Sequence, residues 1–312
     1  MPSAAGAERP VVLVTPPAHP QRLVFLGTPQ MAVPPLEALC AAGFDVALVV
    51  TGPDKRRGRG RATAPTPVKI AALALGIPVS HDVDDAAGCD ADLGVVVAFG
   101  QILRRPLLEA LPLVNLHFSL LPRWRGAAPV ERALLAGDER TGVCVMVVEE
   151  GLDTGGVYAQ VDLAIRRTST AADLSEQLTM AGSELLVHTL TEGLGEPVPQ
   201  HGEPTYAHKL TPDDRRLRWH LSAEELHRIV RVGGAWTTFR DRRLKVVDAR
   251  VDPVDLEGDP GVLVGDRVST GSGSLQLITV QPEGKSPIAA ADWLRGTRVT
   301  AGDRLVDVAI SS

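Results

Sequence analysis

Unbroken apolar runs at Arg22–Gly27, Asp45–Thr51, Asp92–Phe99 and Val114–Phe118 predict buried strands, since a half-exposed strand would alternate in polarity along its length. Between them, 31–42, 68–75, 103–110 and 128–136 carry helical spacing, and Gly43 and Gly76 stop the first two. Strand and helix in alternation, without polar alternation inside the strands, predict a parallel sheet covered on both faces. Thr141–Glu150 and Val157–Ile165 read as later strands, and Thr170–Glu192 as one long helix.

The rhythm changes after that helix. Gly193–Pro204 is dense in Gly and Pro and reads as a linker. A short helix over 223–232 precedes brief strands near 237–239, 243–251, 261–264, 267–269, 275–281 and 304–310, a spacing that predicts a small β-barrel. The expected organisation is an extension over 1–21, a first domain over 22–194, a linker over 195–207 and a second domain over 208–312. The extension, rich in Pro and Ala, lacks a basic start followed by a long apolar core, so it reads as disordered and not as a signal peptide.

Composition narrows the class. A chain of 312 residues with 44% hydrophobic content is a globular protein of two domains by size, and no run reaches the roughly 18 apolar residues of a membrane span. Cys40, Cys89 and Cys144 are far apart and odd in number, which excludes a disulfide framework and points to a reducing cytoplasm. No spacing of His, Cys or carboxylates fits a metal site, so no metal is expected. The net charge of −6 hides an asymmetry: residues 1–207 hold 16 Lys+Arg against 23 Asp+Glu, and residues 208–312 hold 16 against 15. Any contact with nucleic acid must be local. Without a coiled coil or a long apolar surface helix, a monomer is expected.

The candidate chemistry lies in Asn115-Leu-His117-Phe-Ser119-Leu-Leu-Pro122-Arg-Trp-Arg-Gly126 and in Glu150-Gly-Leu-Asp153-Thr-Gly155. The period of a strand puts Asn115, His117 and Ser119 on one side, and Pro122 and Gly126 require the strand to end near His117. Carboxyl ends of strands are where open α/β sheets bind ligands. Asp153 follows the apolar run Val143–Val148 in a glycine-rich loop, so its carboxylate can approach the imidazole if the two strands are neighbours. A lone strand-end His is more often structural. With a carboxamide and a carboxylate beside it, the set suits acyl transfer without a covalent nucleophile: Asn115 and His117 donate to a developing oxyanion, and Asp153 holds the imidazole charged or takes a proton through water.

Other chemistries fit less well. Gly27-Thr28-Pro29 has one glycine where a dinucleotide site needs three, and no phosphate-binding loop of the nucleotide-hydrolase type is present. Ser119 lacks the Gly-x-Ser-x-Gly turn of a hydrolase nucleophile. Lys55-Arg56-Arg57-Gly58-Arg59-Gly60-Arg61 packs five cations into seven residues, which is either a solvated charge run or a phosphate contact at the same end of the sheet as His117. Arg240–Lys245, preceded by Trp236 and Phe239, is a weaker version of the same signal, its aromatics being either barrel core or stacking platforms.

These residues resemble the methionyl-tRNA formyltransferase family, within the enzymes that use 10-formyltetrahydrofolate. The likeness rests on Ser119–Pro129, Asn115-x-His117 and Gly151–Gly155, and extends through Pro53-Asp54, Gly58-Arg-Gly60, Pro67-Val-Lys69, Val97–Gly100, Tyr206-Ala-x-Lys209 and Gln281-Pro-x-Gly-Lys285. It implies an α/β fold, with a Rossmann-like parallel-sheet formyltransferase domain followed by a small OB-like β-barrel domain. It further implies that Asn115, His117 and Asp153 are catalytic, that Ser119, Leu120, Leu121 and Pro122 line the folate site, and that Arg59, flanked by Arg57 and Arg61, meets tRNA. The implied reaction is formylation of initiator methionyl-tRNA, with no DNA or membrane partner. A sugar-nucleotide N-formyltransferase sharing the catalytic trio, or a noncatalytic tRNA- or folate-binding protein, would be the alternatives. Phe118, Gly233–Thr237 and a shortened 81–90 depart from the family pattern.

Overall fold

The computed structural model describes residues 12–56, 63–300 and 303–307. These fall into two compact units: Met1–Pro129, Arg140–Leu163 and Ser175–Ala207 contribute to one, and Val130–Glu139, Ala164–Leu174 and His208–Ser312 to the other.

The sheet of the first unit is built from β1 (Arg22–Gly27), β2 (Asp45–Val50), β3 (Val79–Ser80), β4 (Leu93–Val97), β5 (Leu113–His117), β6 (Arg140–Val147) and β7 (Val157–Ala164), in the order β7-β6-β5-β4-β1-β2-β3. β4 is buried at every position, as its Leu-Gly-Val-Val-Val sequence predicts for a strand covered on both faces. Each fully buried Leu or Val contributes roughly 1.5–3 kcal/mol by leaving water. Helices α1 (Val33–Ala41), α2 (Pro67–Ala74) and α3 (Arg105–Ala110) link the early strands. A long later helix, α5 (Ala171–Glu192), buries Leu178, Leu186 and Leu190 along one stripe, with Gly182 between them. A Cβ at Gly182 would lie 3.0 Å from Val143 and 3.2 Å from Leu116, so the small residue lets the helix approach β5 and β6.

The second unit contains α4 (Pro129–Ala136), α6 (Ala223–Val232) and an antiparallel sheet. Its strands are β8 (Trp236–Phe239), β9 (Arg242–Asp252), β10 (Leu263–Val264), β11 (Arg267–Ser269), β12 (Ser274–Pro282) and β13 (Leu305–Val306), ordered β10-β11-β12-β9-β8-β13. A bridge between Val262 and Arg304 joins the two ends of this path and closes it into a small barrel. Buried positions in β9 run Leu244, Val246 and then Ala249, because a bulge around Val247–Asp248 shifts the register against β12. A last helix, α7 (Ala290–Thr297), sets Trp293 edge-on against Phe239 at 5.1 Å. Phe239 and Trp236 are thus core, the plainer of their two readings, and Arg240 beside them is paired with Asp303.

Three expectations need correction. The sheet is not wholly parallel: β3, β2, β1, β4 and β5 are parallel neighbours, but β6 runs antiparallel to β5, with His117 opposite Cys144 and Val114 opposite Val147. An apolar run does not encode the direction of its strand. Residues 195–207 are no free linker but belong to the first unit, held by hydrogen bonds of Val198, Gln200 and Thr205. Within the expected extension, residues 12–20 are placed: Leu13 packs on the core around Val24 and Leu26, and the Ala18 carbonyl accepts a hydrogen bond from the Leu194 amide. Among the described residues no helix is long and apolar enough to cross a membrane.

Candidate active site

β5 ends at His117, one residue earlier than its sequence predicts, and Asn115 and His117 share a face of the strand two residues apart. The His117 side chain is buried, and its Nε2 lies 2.9 Å from the main-chain carbonyl of Trp124. A carbonyl only accepts, so Nε2 carries the proton and Nδ1 faces the other way. There the Asp153 carboxylate stands 3.7 Å from Nδ1, wider than a hydrogen bond. Among the described residues, the half-buried carboxamide of Asn115 makes no hydrogen bond.

The approach of Asp153 depends on a turn of the chain that strand order alone does not supply. Because β6 is antiparallel to β5, its carboxyl end lies beside the amino end of β5, away from His117. The loop 148–156 must therefore double back. Gly155 permits this, since a Cβ there would stand 2.1 Å from the Val147 carbonyl oxygen. Asp153 itself adopts φ +50°, a left-handed conformation that costs a non-glycine residue on the order of 1–2 kcal/mol. The Gly126 amide donates to Asp153 Oδ2 at 2.7 Å, leaving Oδ1 to accept from elsewhere. Gly126 has φ +116°, and a Cβ on it would press to 3.0 Å from the Ala207 carbonyl oxygen, so the residue beside the carboxylate must be glycine.

The turn after β5 supplies the second half of the site. Ser119 is wholly buried; its hydroxyl donates to the Arg123 carbonyl at 2.5 Å, and its own carbonyl accepts from the Cys144 thiol at 3.1 Å. The side chain of Ser119 therefore shapes the turn and is withdrawn from any ligand. Leu120, Leu121 and Pro122 are partly exposed and offer an apolar wall. Burial pushes the Cys144 thiol up to about 11, so it stays protonated and inert behind that wall. Trp124, at φ +63°, turns its carbonyl to His117 while its amide donates to Thr205 Oγ1 at 2.9 Å.

The basic residues Arg57, Arg59 and Arg61 lie outside the described residues. Both flanks of their loop are described. Lys55–Arg56 pairs antiparallel with Thr63–Ala64, and Lys69 Nζ donates to both Asp54 carboxylate oxygens at 3.0 Å. Thr66 caps α2 by accepting from the Lys69 amide, and its hydroxyl meets that of Thr51 at 2.8 Å.

Sequence reasoning brought Asn115, His117 and Asp153 together but missed the Trp124 carbonyl, the Gly126 amide, Thr205 and Gln200. The first two are backbone groups, which no residue type announces. Gln200 and Thr205 sit in the stretch that reads as a linker, and nothing in their spacing marks them.

Residues 21–190 match the family model described as formyl transferase, and residues 209–298 match that of the formyl transferase C-terminal domain. The chain is 45% identical over 309 residues to a methionyl-tRNA formyltransferase of Streptomyces coelicolor, covering 92% of this chain and 100% of that protein. It is 42% identical to one of Roseobacter denitrificans, covering 90% and 97%. In fold it is similar to HypX from Aquifex aeolicus, solved in complex with tetrahydrofolic acid, with a TM-score of 0.62 at 18% identity over 89% of this chain and 47% of that one. It is similar in the same way to an N-formyltransferase from Helicobacter canadensis, solved with folinic acid and dTDP-3-aminofucose, with a TM-score of 0.62 at 16% identity over 82% and 98%.

Proposed function

The chain belongs to the methionyl-tRNA formyltransferase family, and from that membership we propose how Asn115, His117 and Asp153 divide its reaction among them. The enzyme transfers the formyl group of 10-formyltetrahydrofolate to the α-amine of methionyl initiator tRNA. A bond forms from the amine nitrogen to the formyl carbon, and the bond from that carbon to N10 of the folate breaks. One proton leaves the amine and one arrives at N10, so the site has only to relay protons and steady the negative charge that gathers on the formyl oxygen.

Two donors would meet that charge: the unengaged Asn115 carboxamide and His117 Nδ1, which donates only when the imidazole is protonated on both nitrogens. Trp124 holds Nε2, which leaves Nδ1 as the working nitrogen. Asp153 keeps one oxygen on Gly126 and has the other free to take the amine proton through water. The observation that carries this reading is the 3.7 Å approach of Asp153 to a buried His whose far nitrogen is already engaged. Leu120, Leu121 and Pro122 would hold the folate by apolar contact, with Ser119 keeping their turn in shape. Arg57, Arg59 and Arg61 would meet tRNA phosphates from the loop whose base Lys69 and Asp54 brace, and residues 208–312 would support the same nucleic acid. We place the enzyme in the cytoplasm as a monomer, acting on neither DNA nor a membrane.

The test is formyl transfer from 10-formyltetrahydrofolate to methionyl initiator tRNA, run beside Asp153→Asn and beside an amino-sugar nucleotide as acceptor. Transfer to tRNA that the variant loses is expected; transfer to the sugar alone would overturn the assignment of the basic loop. Arg59→Ala should raise KM for tRNA and flatten its dependence on salt by about one phosphate contact, leaving kcat unchanged. Identical tRNA kinetics across several salt concentrations would remove Arg59 from the interface.

A further inference from the structure

Gln200 uses every hydrogen-bonding position of its carboxamide. Its Nε2 donates to the main-chain carbonyls of Asp153 and Gly155, both at 2.8 Å, and its Oε1 accepts from Arg125 Nε at 3.1 Å and Nη2 at 2.6 Å. The partners fix which way the amide points, because carbonyls demand the nitrogen and a guanidinium demands the oxygen. From this, and resting on the assignment of Asp153 to the catalytic trio, we infer that Gln200 is a positioning residue for the reaction. Residues 198–207 then act as a clasp around the two loops that carry the site.

The rest of the segment supports the same role. Val198 exchanges two backbone hydrogen bonds with Val157, at 2.8 and 2.9 Å, where the loop bearing Asp153 ends. Thr205 accepts from the Trp124 amide through its hydroxyl and from the Arg125 amide through its carbonyl. The Ala207 carbonyl accepts from the amides of Ala127 and Ala128. One segment thus ties down the loop that presents Asp153 and the loop that presents the Trp124 carbonyl and the Gly126 amide. The separation of His117 from Asp153 is set where those loops meet, and Gln200 alone among these residues bonds to both through one side chain.

Asp153 gains from such support because a left-handed backbone is less favourable than the right-handed one even for Asp, among the non-glycine residues that tolerate it best. Two donors on the carbonyls of residues 153 and 155 hold the loop in its doubled-back course. Glutamate at 200 would keep the acceptors for Arg125 but present no donor to those carbonyls. That makes Gln200→Glu the discriminating substitution and Gln200→Ala the full deletion.

The experiment uses the full chain and compares Q200A, Q200E and D153N. It measures kcat, KM for each substrate, the pH profile of kcat, the melting temperature, and deuterium uptake by residues 149–156. Both Gln200 variants are expected to lose about 10- to 100-fold in kcat with KM near wild type. Their kcat profiles should shift in pH, and uptake should quicken in 149–156 while the melting temperature holds. Full turnover in both Gln200 variants beside an inactive D153N would overturn the positioning role alone. So would faster uptake across the whole unit with a lowered melting temperature, which marks a purely stabilising residue. Full turnover in D153N would instead remove the catalytic trio on which the inference stands.

Discussion

The loops around His117 and the barrel of the second unit are held by opposite means. Asp153 and Trp124 both sit at positive φ; Gly126 and Gln200 donate hydrogen bonds to Asp153, and the Trp124 amide donates to Thr205. In the barrel, Leu244, Val246, Ala249, Leu275, Leu277 and Val280 are all at or below 2% exposure and pack into one core. Strained backbone survives where a few specific bonds over-determine it, and such places suit chemistry better than stability. Apolar packing does the reverse: it is non-directional, sums over many contacts, and aims no particular atom.

Damage should sort accordingly. The largest change in stability is expected from Trp293→Ala, which empties the space beside Phe239 and should cost about 3–5 kcal/mol. Urea unfolding followed by tryptophan fluorescence reads it, and kcat per folded molecule should stay near wild type. A lost kcat with intact stability would break the contrast between the regions. Asp153→Asn should behave in the opposite way, losing on the order of 10²–10⁴ in turnover with an unchanged urea midpoint, the range general acid–base groups contribute.

A smaller and pH-dependent effect is expected at Asp214. Burial pushes its carboxyl upward, but hydrogen bonds from Arg132 and from the Thr211 amide and hydroxyl outweigh this and hold it at about 2. A depressed folded-state value means stability that is present above the unfolded value near pH 4 and lost as pH falls through about 2. Asp214→Asn should therefore lower stability by about 1 kcal/mol at pH 7, since solvent screens the pair, and the gap from wild type should close between pH 4 and 2. A gap that persists at the lowest pH would show that packing, and not charge, makes the contribution.

Much of the proposed catalytic trio was legible from residue type. Asn115 and His117 are polar groups in an apolar strand, and their two-residue spacing places them on one face whatever surrounds them. Asp153 was legible less directly. Its approach was expected from neighbouring strands, and β5 and β6 are neighbours, but in antiparallel sense, so the loop arrives by doubling back. The groups that orient the imidazole and the carboxylate escaped notice because main-chain carbonyls and amides look alike at every position.

Local physics ran strongly enough along this chain to set its strands, its helices and the break in rhythm after Glu192, since apolar periodicity and glycine stops act within a few residues. The same locality named the residues proposed to do the chemistry. Strand direction, the closure of the barrel through Val262 and Arg304, and the conversion of a Gly- and Pro-rich stretch into a clasp were decided only in three dimensions. Each depends on hydrogen bonds between residues tens of positions apart, such as Gln200 with Asp153 and Thr205 with Trp124. Their partners exist only once the sheet has brought them together.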